Sequence, residues 1–334
     1  MYIISSYTLA VCFTVITMLC WGSWGNTQKL ASKNWRFELF YWDYVIGIVF
    51  LSLIMGLTLG SIGEQGRSFT EDLGQISSAN LWSAIVGGVI FNASNILLSA
   101  SISISGMSVA FPLGVGIALV LGVVVNYMSI PKGDPIVLFS GVLLVVIAVI
   151  FNGIASGKMS AENQKSSSKG IWLALIAGVL MSFFYRFVAA AMDINNFESP
   201  TPGMATPYSA FFIFSLGILT SNILFNTLVM KQPFVGAPVS YKDYFSGNFR
   251  THLVGIGGGL IWGLGTLLSF LSAGKAGAAI SYGLGQGATM VAAFWGVFIW
   301  KEFKGGGSTV KLLLTLMFVL FIAGLMLIIL SGGN

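Results

Sequence analysis

Two stretches decide the fold. Gly87–Ile130 reads GGVIFNASNILLSASISISGMSVAFPLGVGIALVLGVVVNYMSI, and Gly258–Lys301 reads GGLIWGLGTLLSFLSAGKAGAAISYGLGQGATMVAAFWGVFIWK. Slid by 171 residues, the first aligns on the second without a gap, with ten identities in 44 positions. The pairs are Gly87/Gly258, Gly88/Gly259, Ile90/Ile261, Leu97/Leu268, Ser101/Ser272, Gly106/Gly277, Leu113/Leu284, Gly114/Gly285, Gly116/Gly287 and Val120/Val291. Apolar composition alone yields chance matches, but glycines clustered at one fixed offset mark an internal repeat. Each stretch holds two apolar runs joined by a tight turn, around Ser105 and around Lys275, and each run approaches the ~20 residues that cross about 30 Å of hydrocarbon. They read as matching transmembrane hairpins.

Working outward in the same units gives ten spans, at about 7–28, 41–62, 80–103, 107–128, 135–155, 170–191, 208–230, 252–273, 277–299 and 309–330. The polar, serine-rich stretch Gly157–Lys169 divides them into a first repeat over 1–156, a linker over 157–169 and a second repeat over 170–334. Five spans is an odd number, so the second copy enters the membrane the opposite way up. The expected fold is an all-α membrane protein of ten transmembrane helices in two inverted five-helix repeats. Secondary transporters use this architecture to alternate access about a site at the midplane.

Hydrophobic residues make up 56% of the chain and charged residues 8%, against about 25% charged in an ordinary soluble domain. The mean hydropathy is +0.88. So little charge cannot clothe a water-facing surface. A net charge of +5 would point a soluble chain towards nucleic acid; here the basic residues sit in short loops, where they set orientation and meet anionic lipid headgroups. Twelve fall on one side: Lys29, Lys33, Arg36, Lys158, Lys165, Lys169, Lys231, Lys242, Arg250, Lys301, Lys304 and Lys311. Arg67, Lys132 and Lys275 fall on the other, and Arg186 lies within a span. The positive-inside rule puts the twelve in the cytoplasm and both termini outside the cytoplasmic (inner) membrane. The first apolar stretch lacks a basic n-region and continues as a full span, so it reads as an uncleaved signal anchor. Cys12 and Cys20, on one helix, cannot bridge each other.

Glycine, 42 residues, recurs at helix-contact spacing, as in Gly259-x-x-x-Gly263 and Gly283-x-x-x-Gly287, where small residues let backbones approach. Phe111-Pro112-Leu113-Gly114 and its repeat partner Tyr282-Gly283-Leu284-Gly285 also read as a hinge, because Pro112 removes a donor and frees carbonyls mid-span. The hinge candidates are Pro112, Gly114, Gly283 and Gly285. Arg186 is the one basic residue deep within a span, where a charge costs roughly 2.5–3.5 kcal/mol. It either snorkels to the nearer interface or offers a donor fork to a solute carbonyl or hydroxyl. Asp43 and Asp193, near span ends, are its candidate partners, interfacial caps, or coupling groups.

Amides at Asn92, Asn95, Asn126, Asn222, Asn226 and Gln286 lie within spans beside Trp21, Trp24, Trp262, Tyr282 and Trp295. Singly, each amide reads as an interhelical hydrogen bond. Gathered in spans 1, 3, 8 and 9, amides and rings suit an uncharged planar or polyhydroxy solute, bonding its edge and stacking on its faces. The expected contacts are Trp24, Asn92, Asn95, Trp262, Tyr282 and Gln286, with Arg186 as polar anchor. Enzyme readings fail. The one histidine, His252, sits at a span boundary with no reactive or metal-ligand constellation evident around it. Gly153–Met159 is one residue short of a phosphate loop and has no Ser or Thr after Lys158. No cofactor, metal or nucleic-acid partner is expected.

Residue order then carries a resemblance. Gly22-Ser23-Trp24, Asp43-Tyr44, Thr58-Leu-Gly60-x-Ile62-Gly63, Gly87-Gly88…Asn95, Gly106-x-Ser108-Val109, Asn126-Tyr127, Tyr208-x-Ala210-Phe211-Phe212-x-Phe214-Ser215, Gln286, Phe294-Trp295-Gly296 and Glu302 resemble the ureide permease family. That family belongs to the drug/metabolite transporter superfamily, which also holds bacterial glucose and ribose uptake porters. The resemblance implies the five-plus-five inverted fold and uptake of small polar solutes such as allantoin and uracil, with proton coupling in plant members. Against those members, Phe111 and Gly283 stand where spans 4 and 9 are acidic, and the central loop is far shorter. With no carboxylate at midplane depth, the chain reads as a facilitator or as coupled through Asp43 or Asp193. The leading expectation is a secondary transporter of a small neutral polar solute: a ureide, nucleobase or similar oxo-heterocycle. Its rivals are a monosaccharide uptake porter and, further off, a multidrug exporter, which ordinarily needs a membrane-embedded carboxylate.

Overall fold

In hydrocarbon every backbone N–H and C=O must be satisfied within its own segment, which makes a long apolar run a helix. The computed structural model describes residues 1–31, 35–105, 107–160 and 168–333. Among them lie α1 (Tyr7–Leu30), α2 (Phe37–Leu57), α3 (Ser78–Ser105), α4 (Met107–Ser129), α5 (Pro135–Ser160), α6 (Ser168–Ala191), α7 (Pro207–Lys231), α8 (Phe249–Ala276), α9 (Ala278–Ile299) and α10 (Ser308–Ser331). Nine of these are long and apolar enough to cross a membrane, and α4 adds the shorter apolar stretch Leu113–Ser129. Lys33 and residues 161–167 of the expected linker, Lys165 included, lie outside the described residues.

Local chemistry sets the ends. Ser6, Thr206 and Asn248 cap α1, α7 and α8 by accepting from the N–H three residues on, satisfying an otherwise orphaned donor. Pro207 at the first position of α7 needs no such acceptor. Gly277, at φ 86°, ends α8 and opens α9 in one residue, a conformation that glycine adopts without strain. Two helices are broken. α1 turns at Trp24, and α9 is interrupted at Gln286–Gly287 and finishes in a π-helical turn over Trp295–Ile299. By contrast α4 stays helical through residues 111–114, where the sequence suggested unwinding. The side chain of Pro112 lies outside the described residues.

Helices of the two chain halves interleave. α3 packs on α6 and α7, α8 on α1 and α2, α4 on α6, and α5 on α10. Apolar side chains gain nothing by leaving lipid for another helix, so close backbone approach has to supply the attraction. Glycine supplies it at the crossings: a methyl on Gly259 of α8 would sit 2.0 Å from the Tyr44 carbonyl oxygen of α2, and one on Gly88 of α3 would sit 2.2 Å from that of Phe214 on α7.

Loops tie down both ends. At the end bearing the termini, the Met1 amino group donates to the Gln65 carbonyl at 2.6 Å and Lys132 donates to that of Gly274 at 3.1 Å. Fully buried Asp72 accepts from Arg67 at 2.9 Å and from the Thr206 N–H at 2.7 Å. At the opposite, lysine-rich end, Trp300 donates to Asn26 at 2.7 Å, Trp295 to Ser23 at 2.9 Å, and Lys29 pairs with Glu302 at 2.7 Å. These three contacts brace α1 against α9.

The glycine crossings are directly testable. Gly259→Ala should destabilise by about 1–3 kcal/mol, the usual range for overpacking, and lower the melting temperature in detergent. Gly257→Ala, whose methyl meets nothing within 4 Å, should leave the melting temperature unchanged or raise it.

Candidate functional site

The broken helices lie beside a central cavity of about 110 Å³. Its wall comes from six helices: Trp21 and Trp24 of α1, Phe91, Ser94, Asn95 and Leu98 of α3, Gly114 of α4, Ala177, Gly178, Met181 and Phe184 of α6, Trp262 of α8, and Gln286 and Thr289 of α9. Among the described residues no charged one is in that lining. A void of about 150 Å³ holds one benzene, so this chamber is scaled to a single small ring.

Trp262 is the centre of the wall. Its ring stacks on Phe91 at 4.4 Å and 30°, on Trp21 at 6.2 Å and 13°, and on Phe214 at 6.3 Å and 24°. Trp21 is held by its N–H to Thr266 at 3.1 Å, and Thr17 one turn earlier donates to the Gly265 carbonyl at 2.8 Å, so α1 is pinned to α8. Tyr44 lies 4.5 Å from Trp24.

Four polar side chains hold the chamber's unspent hydrogen bonding. Asn95 donates to Tyr41 at 3.2 Å, while its carbonyl accepts from no described residue. Among the described residues the indole N–H groups of Trp24 and Trp262 and the side-chain amide of Gln286 have no hydrogen-bond partner, and all three residues line the void. Buried polar groups are normally satisfied. Here the arrangement offers donors, an acceptor and a two-way amide to whatever enters.

Of the expected contacts, Trp24, Asn95, Trp262 and Gln286 come together on this wall. Tyr282 stands one layer behind, fully buried, donating at 3.2 and 3.3 Å to the carbonyls of Ala118 and Met181 that back the lining. Asn92 is outside the lining: its amide N–H donates to Ser221 of α7 at 2.9 Å, and its buried side-chain oxygen meets no partner among the described residues. Arg186, expected as a polar anchor, is exposed on the outer surface of α6, because that helix turns Phe184 and Tyr185 inward and the guanidinium out. Asp193 accepts from the N–H and hydroxyl of Thr201 at 2.9 and 2.7 Å, away from the chamber. Of the hinge candidates, Gly114 lines the void, whereas Gly283 and Gly285 let α9 approach Val123 and Trp21. The interruption itself falls one residue later, at Gln286.

Sequence reasoning named Trp21 among the rings within spans without placing it at the site, and missed Phe91 and the small residues of α6. It also found nothing around His252, whereas the structure brings Asp43 there: the Nδ1 atom lies 2.9 and 3.0 Å from the two carboxylate oxygens. The partners are 209 residues apart in sequence, and no local spacing could reveal them.

Long apolar helices packed around a small polar chamber define an integral membrane protein. The chain belongs to the ureide permease family, whose model matches residues 40–169 and 160–331; the family's name places it among permeases rather than enzymes. It is 25% identical to Ureide permease 1 of Arabidopsis thaliana, with 100% of both chains covered. A probable glucose uptake protein of Priestia megaterium is 24% identical over 73% of this chain and 77% of its own length. One crystal structure, 14% identical, shares the fold at a TM-score of 0.61, covering 97% of this chain and 98% of that one.

Trp262→Ala should cost about 3–5 kcal/mol, as large-to-small changes of packed aromatics do. Arg186→Gln should stay within about 0.5 kcal/mol of the parent. Denaturation in detergent measures both.

Proposed function

We propose that the chain is a secondary transporter that moves a small neutral polar solute across the cytoplasmic membrane by alternating access, the solute being a ureide, nucleobase or similar oxo-heterocycle. One observation carries the reading: the chamber is uncharged, ring-sized and aromatic-walled, with unspent hydrogen bonding at Trp24, Asn95, Trp262 and Gln286. Stacking satisfies the faces of a flat solute, and amide and indole groups satisfy its carbonyls and N–H groups. Tyr282 supports the wall, and Gly114, Gly283 and Gly285 are the points about which α4 and α9 shift. Coupling, where present, falls to Asp43 in preference to the loop-bound Asp193.

Helix packing supports ten spans in two inverted repeats over 1–156 and 170–334. The α3·α7 crossing recurs as α8·α2 and the α3·α6 crossing as α8·α1, each helix replaced by the one five further on. Gly88 at the first of these crossings and Gly259 at its recurrence are a repeat pair in the sequence. The sequence count of twelve loop Lys and Arg on one side against three on the other supports a cytoplasmic position for that side, with both termini outside.

The glucose uptake relative favours a second reading, uptake of a monosaccharide through the same chamber. A multidrug exporter fits less well, since among the described residues no carboxylate lines the void to hold a cation. In reconstituted vesicles, labelled uracil or allantoin uptake should saturate and be competed by the other, with glucose and ribose ineffective. Competition by the sugars alone would transfer the function to the second reading, and absence of any saturable flux would overturn transport. Gln286→Ala should weaken binding by about tenfold, the equivalent of 1.4 kcal/mol, through loss of one hydrogen-bonding group. A thermal-shift titration reads this directly.

A further inference from the structure

The chain's single histidine sits in a built cluster around Asp43, and the transport reading gives no part to that histidine. Asp43, almost wholly buried on α2, accepts from the Tyr244 hydroxyl at 2.7 Å and faces both carboxylate oxygens to His252 Nδ1 of α8. His252 is partly exposed, its ring edge-on to Trp35 at 5.3 Å and to Tyr244 at 4.9 Å. Gly247 closes the group: a methyl there would sit 2.6 Å from the Trp35 ring and 2.7 Å from His252 Nε2. Burial, helped by the hydrogen bond and charge of Asp43, pushes the Tyr244 phenol up, so it remains a donor at ordinary pH.

Three separate elements meet here. Asp43 belongs to α2, His252 to the start of α8, and Tyr244 to the short helix Tyr241–Phe245 within the connection from α7 to α8. Arg36 holds the same connection independently, through the carbonyls of Val235 and Ala237. Other charged groups on the packed elements are committed or stand apart: Arg36 and Glu38 bond each other, Asp243 is spent on the Ser240 cap, and Lys242 and Arg250 bond neither Asp43 nor the imidazole. The only described basic group in contact with the carboxylate is therefore the imidazole.

We propose that the His252–Asp43 pair is a proton-binding site that latches the α7–α8 connection across the lysine-rich end, tight when the imidazole is charged and slack when it is neutral. An unpaired carboxylate in so buried a place is costly, and an imidazolium compensates it, whereas a neutral ring offers only a hydrogen bond. Imidazoles change charge between about pH 5 and 8. The latch accordingly tightens when the imidazole takes up a proton and loosens when it gives one up. Its position also reaches the chamber. Tyr44, next to Asp43, packs on Trp24 and lies 6.1 Å from Trp262, and Gly255, one turn from His252, lets the α8 backbone rest on Asp43.

Amide hydrogen exchange of residues 232–248 in the full chain tests this without any solute, so it stands or falls separately from transport. After correction for intrinsic exchange, protection should be several-fold higher at about pH 5.5 than at about pH 7.5, the lower value favouring a charged imidazole. His252→Gln should remove that difference. Tyr244→Phe should lower protection at both values yet keep the difference, because the titrating pair survives. Equal protection at the two pH values in the parent, or a difference that persists in His252→Gln, would overturn it. Should Asp43→Asn fail to fold, His252→Gln still decides.

Discussion

The structure depends on helix backbones touching. In lipid the hydrophobic effect does not draw one apolar helix to another, so association rests on dispersion and on contacts too close for any side chain. Gly259 against Tyr44 and Gly88 against Phe214 are such contacts. They fix α8 to α2 and α3 to α7, and those four helices carry Trp262, Phe91 and Asn95 into register. Without the crossings, the aromatic wall would have no common frame.

A tight scaffold also makes a void tolerable. Among the described residues the indole N–H groups of Trp24 and Trp262 and the amide of Gln286 have no protein partner and open onto the void. Neighbouring packing holds the wall in place: Trp21 on Thr266, Thr17 on the Gly265 carbonyl, and Asn95 on Tyr41. Preorganised groups with unmet hydrogen bonding favour a solute that meets them, since little ordering remains to oppose binding.

Span positions were legible because about 20 apolar residues have one physical outcome in a bilayer; Ser78–Ser105 and Phe249–Ala276 lie within a few residues of their expected bounds. The wall was half legible. Tryptophans and amides within spans are conspicuous, and Trp24, Asn95, Trp262 and Gln286 line one void. Facing was harder, because lipid and protein interior are both apolar and hydropathy does not separate them. Of the two readings open for Arg186, the exposed side chain on α6 fits the outward one, and Asn92 makes the interhelical hydrogen bond, to Ser221, that any single amide suggests. The break at Gln286–Gly287 escaped notice beside the more visible Pro112. His252 and Asp43 could only be joined by the fold.

The brace at the lysine-rich end constrains how the molecule can move. Trp300 on Asn26, Trp295 on Ser23 and Lys29 on Glu302 bind the two broken helices together just beyond their breaks. Any rearrangement that keeps those bonds carries Trp24 and Gln286 as one jaw, at constant separation. A gripped ring would then be released by the opposing jaw of α3, α4 and α6 sliding past, with no loosening of the first.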